Sequence, residues 1–250
     1  MEERQVDFGN RKVSEGKKRE LVNQVFAKVA PRYNLMNDLM SFGSHRILKQ
    51  LLLNMSEINP ASKVLDLAGG TGDMTSLFAS VLENKANLTL ADYNQDMINY
   101  ARDRLINEGL PGINYVVNQA ESLPFASSYF DCICISFGFR NFTDKALALK
   151  EAERTLKAGG TLLILEFSRP TNGFLNAAYK GFQTLWPVAG KLLVGDDQPY
   201  KYLIESIEKH PKQAVIKQMF EDAGFFNVSY NNFLGGVAAI HKGYKVIGNS

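Results

Sequence analysis

Three observations predict a doubly wound α/β fold, a mostly parallel sheet with helices on both faces. From Lys63 onward, short runs rich in Val, Leu and Ile alternate with segments of helical period. The runs "KVLDLA", "DCICISF" and "TLLILEF" are apolar nearly throughout, as strands buried on both faces require. The first of them enters a glycine-rich turn, "GGTGD", ahead of a helix. Such a turn offers free N–H groups and a backbone that a nucleotide can approach closely.

The elements follow in order. After a polar start, Leu21, Val22, Val25, Phe26 and Val29 mark one face of a helix that stops before Pro31. The mixed segment "PRYNLMNDLMSFGSHR" leads to a second amphipathic helix carrying Ile47, Leu48, Leu51 and Leu52. Strand Lys63–Ala68, the glycine turn and a helix from about Met74 come next. Strand Asn87–Asp92 then precedes a helix with Met97, Ile98, Ala101 and Leu105 on one face. A short strand "INYVVN", a loop "QAESLPFASSYF" and a strand Asp131–Phe137 follow. A helix from about Asp144 is expected to end at Gly159-Gly160, ahead of strand Thr161–Phe167. Pro211 opens a helix closed by Gly224, and two strands near Asn227–Phe233 and Val237–Val246 finish the chain.

The expected organisation is one domain in four parts. These are an N-terminal helical lid (1–60), a nucleotide-binding core (61–168), an insertion (169–210) and a C-terminal helix with strands (211–250). The insertion is too apolar for a loop and too long for a plain crossover, which suits a cap over the site.

At 250 residues and 45% hydrophobic, the chain can bury one substantial core. Its 28 basic and 26 acidic residues leave a charge of only +2, which argues against a nucleic-acid partner. The basic run Arg11–Glu20 reads as a solvated face rather than a membrane-surface patch. Cys132 and Cys134 point to one face of a strand, so they read as core residues of a reducing compartment, and C-x-C is poor zinc spacing. No metal site is expected. No signal-peptide h-region and no run of 18 apolar residues occurs. A cytoplasmic protein, at most peripheral to the inner face of a membrane, is therefore expected.

NAD, FAD and S-adenosylmethionine (SAM) all bind beyond the carboxyl ends of such strands. A dinucleotide fingerprint wants a third glycine three residues after the second; here Thr75 holds that place. Asp73 directly follows the turn, where its charge would oppose a pyrophosphate but not a sulfonium cation. Asp92 ends the second strand and can accept both ribose hydroxyls, a feature that NAD sites share. SAM is the expected cofactor. Gly70, Thr71 and Gly72 shape the turn, Gln119 and Ala120 stand where adenine would lie, and Ser136 faces the methionine end.

The stretches "VLDLAGGTGD", "ESLPFASSYFDCICISFGFRNFTDK", "LKAGGTLLILEFSRP" and "GGVAAIHKGYKV", with "VFAKVAPRYNLMNDLMSFGSHR" near the start, carry a family resemblance. The chain resembles the UbiE/MenG family of ubiquinone/menaquinone C-methyltransferases over nearly its whole length. That resemblance implies a class I SAM-dependent methyltransferase, Rossmann-like, with a seven-stranded sheet whose final strand is antiparallel. It implies C-methylation of a polyprenylated quinol ring, with donor contacts at Thr71, Asp92, Gln119, Ala120 and Ser136. Gln119 stands where relatives often carry Asn or Asp, so its reach to adenine differs.

A ring carbon becomes nucleophilic as a ring hydroxyl loses its proton, and phenols titrate near ~10. Arg140 and Asn141, just past the fourth strand, are the expected catalytic pair, Arg140 holding the developing oxyanion. The competing role for Arg140 is a loop-fixing pair with Asp144 or Glu166. His45, Asp38, Tyr33 or a water are candidate proton acceptors, none of them assigned. In the insertion, Phe174, Tyr179, Phe182, Leu185, Trp186 and Val188 can line a tail groove or dip into a bilayer interface, with Lys180 and Lys191 at the headgroups. The competing reading is a helix pair packing on the sheet or on a second subunit, and another biosynthetic enzyme could cover the same surface. The alternatives are a methyltransferase for a soluble small molecule, a SAM-binding regulator without turnover, and an NAD oxidoreductase.

Overall fold

A hairpin, β1 (Gln5–Phe8) and β2 (Arg11–Ser14), opens the computed structural model, which describes residues 4–29, 41 and 43–247. Tyr33 and Asp38 lie outside the described residues, as do the side chains of Phe26 and Val29. The hairpin is absent from the sequence-based expectation because only Val6 and Phe8 of it are buried. Helix α1 (Glu15–Val29) therefore starts earlier than its apolar face suggests. On α2 (Ser44–Met55), Leu48, Leu52 and Leu53 face inward, while Ile47 is exposed, against expectation.

The core elements alternate as the sequence implies. They are β3 (Val64–Leu67), α3 (Asp73–Val81), β4 (Leu88–Asp92), α4 (Gln95–Asn107), β5 (Asn114–Val117), β6 (Phe130–Ser136), α5 (Lys145–Thr155) and β7 (Leu156–Phe167). The insertion forms α6 (Gly173–Gln183), α7 (Trp186–Val194) and α8 (Gln198–Lys209); α9 (Gln213–Asp222), β8 (Phe225–Phe233) and β9 (Ala238–Lys245) close the chain.

The seven-stranded sheet has the order β5-β4-β3-β6-β7-β9-β8. The five strands β3 to β7 pair in parallel, and β9 runs antiparallel to both its neighbours. Residues alternate between two apolar layers along each central strand. Cys132 and Cys134 pack with Phe78, Leu90 and Leu163 on one face. Ile133 and Ile135 pack with Leu149, Leu162 and Phe220 on the other. Both cysteines are free and buried, and burial pushes the Cys132 thiol up to about 12.

One boundary corrects the sequence-based expectation. Helix α5 ends at Thr155, whose hydroxyl donates to the carbonyls of Glu151 (2.8 Å) and Ala152 (3.3 Å). The Gly159-Gly160 pair lies within β7, where the register jumps from Phe130–Leu156 to Cys132–Thr161. A Cβ on Gly160 would meet the Lys157 carbonyl at 2.9 Å, so the glycine serves this excursion and not the helix end.

In the insertion, Trp186 (1% exposed) and Tyr200 are buried in the same layer as Phe78. Tyr179 and Phe182 stand edge-on to the indole. The surface set expected from sequence thus divides: Trp186 anchors the segment, and Phe174, Leu185 and Val188 are exposed. No helix among the described residues is long and apolar enough to cross a membrane.

Candidate active site

In an open α/β sheet the ligand crevice lies where strand order reverses, here between β3 and β6. Ala68 (φ 58°) and Phe137 (φ 58°) end these strands in the left-handed region, a conformation that costs a non-glycine residue energy and clusters at functional sites. Gly138 follows because the chains nearly touch: a Cβ there would sit 2.6 Å from that of Ala68. Phe137 stacks on Phe167, ring centroids 4.4 Å apart, which fixes that wall.

Above the reversal opens a cleft of about 860 Å³, mouth included. Gly70, Asp92, Gln119, Ala120, Ser136 and Asn141 line it. A smaller cavity of about 340 Å³ adjoins it through Gly70 and Ser136 and holds Thr71. Thus the structure brings six of the nine sequence-predicted site residues to the cleft and Thr71 to its extension. Two stand elsewhere. A Cβ on Gly72 (φ 85°) would meet Leu105 at 2.9 Å, so this glycine seats the turn against α4. It supplies the close packing that a dinucleotide site would draw from position 75. Arg140 is 8% exposed and does not line the cleft.

Asp92 holds the turn. Its Oδ2 accepts the Gly70 N–H (3.0 Å) and its Oδ1 the Asn94 N–H (2.9 Å). Burial raises its pKa, and the backbone N–H groups of Asn94, Gly70 and Tyr93 oppose that. Each carboxylate oxygen keeps lone pairs for further donors. Two buried polar atoms facing these cavities lack partners among the described residues: Ser136 Oγ and Asp66 Oδ1. Asp66, on β3, accepts the Thr75 hydroxyl at 2.6 Å, and burial pushes its carboxyl up to about 6. Such orphaned groups call for ligand donors and acceptors. They fit the polar amino-acid end of SAM, while Ala120 and Met97 offer an apolar floor to a purine.

Asp73 behaves otherwise than the sequence suggests. It lies between Lys49 Nζ (2.8 Å) and Arg104 Nη1 (2.5 Å), so its charge is compensated and says little about the ligand. Burial alone would raise its pKa, yet these two cations bring it down to about 2. Asp73→Asn is expected to destabilise the fold by about 2–3 kcal/mol, since Lys49 loses its carboxylate partner and Arg104 keeps only Glu108. The folded-state pKa is depressed, so this contribution is present above about pH 4 and is lost as pH falls toward about 2. Urea unfolding of wild type and variant should therefore converge over that window.

The loop after β6 is tied down throughout. The Arg140 N–H donates to Glu166 Oε2 (3.0 Å) and its Nη1 to Glu166 Oε1 (2.7 Å). Of the two roles open to Arg140, the loop-fixing pair with Glu166 is present. Asp144 instead pairs with Arg4 at 2.6 Å and caps α5. Glu121 accepts the N–H groups of Thr143 (2.8 Å) and Asp144 (3.1 Å). Tyr202, stacked on Phe8 at 4.5 Å, donates its hydroxyl to Asn141 Oδ1 (2.9 Å). His45 is buried, with Nδ1 2.9 Å from Ser41 Oγ, and does not line the cleft.

Three contributors escaped sequence reasoning. Tyr202 sat inside the insertion, Gly138 needs the close approach of two strands, and Lys18 was hidden in the charged run. Lys18 is 5% exposed and lines the cleft, which corrects its assignment to a solvated face.

Fold and site together define a class I SAM-dependent methyltransferase. Its fold is shared by a SAM-dependent methyltransferase from Aquifex aeolicus (TM-score 0.61, 16% identity, 85% of this chain and 98% of that one). It is shared too by Haemonchus contortus phosphoethanolamine N-methyltransferase 2, solved with SAM (TM-score 0.59, 15% identity, 80% and 52%). The chain belongs to the ubiE/COQ5 methyltransferase family, whose profile matches residues 12–245. It is 46% identical over 246 residues to the ubiquinone/menaquinone biosynthesis C-methyltransferase UbiE of Yersinia enterocolitica, covering 98% of both chains. Against the protein of that name from Proteus mirabilis it is 47% identical over 242 residues, 96% of each.

Proposed function

We propose that the chain transfers the methyl group of SAM to a ring carbon of a polyprenylated quinol in menaquinone and ubiquinone biosynthesis. The acceptor is demethylmenaquinol, a 2-polyprenyl-6-methoxy-1,4-benzoquinol, or both. The observation that carries this is 46–47% identity over nearly full length to proteins named for that biosynthesis.

When bound, SAM supplies an electrophilic methyl group on a sulfonium. The chain's own task is alignment at near-attack distance and stabilisation of a ring oxygen that loses its proton. Asp92 holds the ribose, Gln119 and Ala120 the adenine, and Gly70, Thr71 and Ser136 the methionine end. Asn141 faces the acceptor: with its Oδ1 engaged by Tyr202, its amide N–H groups are the donors left for a ring oxygen. Arg140 acts through Glu166 and the loop as a positioning residue. Tyr202→Phe keeps the stack on Phe8 but frees the Asn141 amide. We expect kcat to fall roughly tenfold, the worth of one hydrogen bond, with SAM affinity unchanged.

The exposed Phe174 (81%), Leu185 (60%) and Val188 (60%), with Lys180 and Lys191 nearby in sequence, form a surface for the headgroup region of a bilayer that holds the substrate's tail. Aspartate at both Phe174 and Val188 should abolish co-sedimentation with phosphatidylglycerol-containing vesicles. A concentration-dependent dimer broken by the same pair would assign the surface to a second copy instead.

The deciding assay is methyl transfer from labelled SAM to both chemically reduced quinols in detergent or liposomes. Label in the ring of either establishes the reaction. Label in neither, with SAM bound, points to a soluble acceptor.

A further inference from the structure

We infer that Lys18 is a catalytic residue, its ammonium hydrogen-bonding the acceptor's ring oxygen as that oxygen becomes an anion; this rests on the quinol reading above. Lys18 belongs to α1, in a segment outside the nucleotide-binding core, yet its side chain is buried against the cleft wall that Asn141, Phe142 and Thr143 also form. Burying a lysine is costly unless its charge is answered. Among the described residues its ammonium makes one hydrogen bond, to the Phe142 carbonyl at 3.1 Å. An ammonium has three donors, so two remain for a ligand in the cleft.

The surroundings favour a negative ligand there. Lys145 Nζ donates to the same Phe142 carbonyl at 3.1 Å and to that of Arg140 at 3.1 Å. Two ammonium groups thus converge on one carbonyl oxygen. Burial, then the like charge of Lys18, brings Lys145 down to about 8. Lys18 itself lies below the ordinary lysine value because of burial, with Glu121, Asp7 and Glu15 acting in the other direction. Glu121 spends an oxygen on the Thr143 and Asp144 N–H groups. An incoming oxyanion would relieve the repulsion between the two lysines.

Among the described residues no other cation is as well placed. Arg140 is bound to Glu166 and does not line the cleft. Arg19 lines it but is only partly buried and leans on Glu15 at 3.6 Å. The methionine carboxylate of SAM belongs at the other end, beside Thr71 and Lys49. The acceptor oxygen is the negative group left for Lys18. Lys18 stays protonated throughout, and the hydroxyl proton passes to water.

The test compares wild type, Lys18→Met and Lys18→Arg. In methyl transfer to the quinol that wild type uses, Lys18→Met should lower kcat roughly a hundredfold and move the rising limb of the pH–rate profile to higher pH. Lys18→Arg should recover part of the rate, and SAM affinity by calorimetry should hold in both. A second measurement needs no turnover: the absorbance titration of 2-naphthol with S-adenosylhomocysteine present. Wild type should lower the pH at which naphtholate forms, and Lys18→Met should not. Unchanged kcat and pH limb in Lys18→Met, a rate loss matched by lost SAM affinity, or no naphtholate shift with wild type each overturn the proposal. A wild type inactive on both quinols overturns the quinol reading, while the naphthol titration still decides the role of Lys18.

Discussion

Asp92→Ala should weaken SAM binding roughly a hundred- to ten-thousandfold. Two hydrogen bonds from ribose hydroxyls to a carboxylate are worth about 1.5–3 kcal/mol each, and each 1.4 kcal/mol is tenfold in affinity. The loss has a second source within the protein. The carboxylate also accepts the Gly70 and Asn94 N–H groups, at 3.0 and 2.9 Å. Its removal loosens the glycine turn and the first turn of α4 together. Asp92→Asn should fall between, since an amide keeps one acceptor but turns its NH₂ toward an N–H donor or a hydroxyl. Calorimetry with SAM is the measurement; an affinity within threefold of wild type in the alanine variant would remove Asp92 from the donor site.

Arg140→Met is the second large effect, and it separates two roles. Glu166 is 1% exposed, and its carboxylate accepts from the Arg140 guanidinium (2.7 Å), the Arg140 N–H (3.0 Å) and the Phe167 N–H (2.8 Å). Removing the guanidinium strands a buried charge, which costs about 3–5 kcal/mol. Urea unfolding should show that loss, and turnover should fall with it as the loop bearing Asn141 slackens. Adding Glu166→Gln should restore much of the stability, because the stranded charge is gone. Should Arg140→Met keep full stability while losing turnover, the guanidinium would act on substrate directly.

Much of this was legible in the sequence, and the boundary is physical. The strands declare themselves because burial on both faces leaves little room for polar residues, and Asp66 stands out by breaking that rule. Asp92 and Gly70 were readable because the turn chemistry is local. Pairings across the sheet were not. Glu166 meets Arg140 because β6 and β7 run parallel with Ser136 opposite Leu165, a register no local pattern encodes. Both carboxylate candidates for Arg140 lie near it in the sequence order of the strands; Asp144 turned to Arg4, the residue before a hairpin too short to announce itself. Lys18 looked like its solvated neighbours because burial of one lysine in a charged run leaves no periodic trace. Gly138 is needed only against Ala68, seventy positions away.

That last separation has a kinetic meaning. The crevice is assembled from 68–70 and 136–138, so it does not exist until β6 has paired beside β3. Contacts this distant along the chain form slowly. During synthesis the glycine turn and Asp92 emerge well before their opposite wall, and SAM finds no site on the half-made sheet. Once the wall closes, SAM binds only the finished form, and at a hundredfold excess over its Kd it adds about 2.7 kcal/mol against unfolding. Resistance of the folded chain to proteolysis through unfolding should therefore rise with SAM concentration.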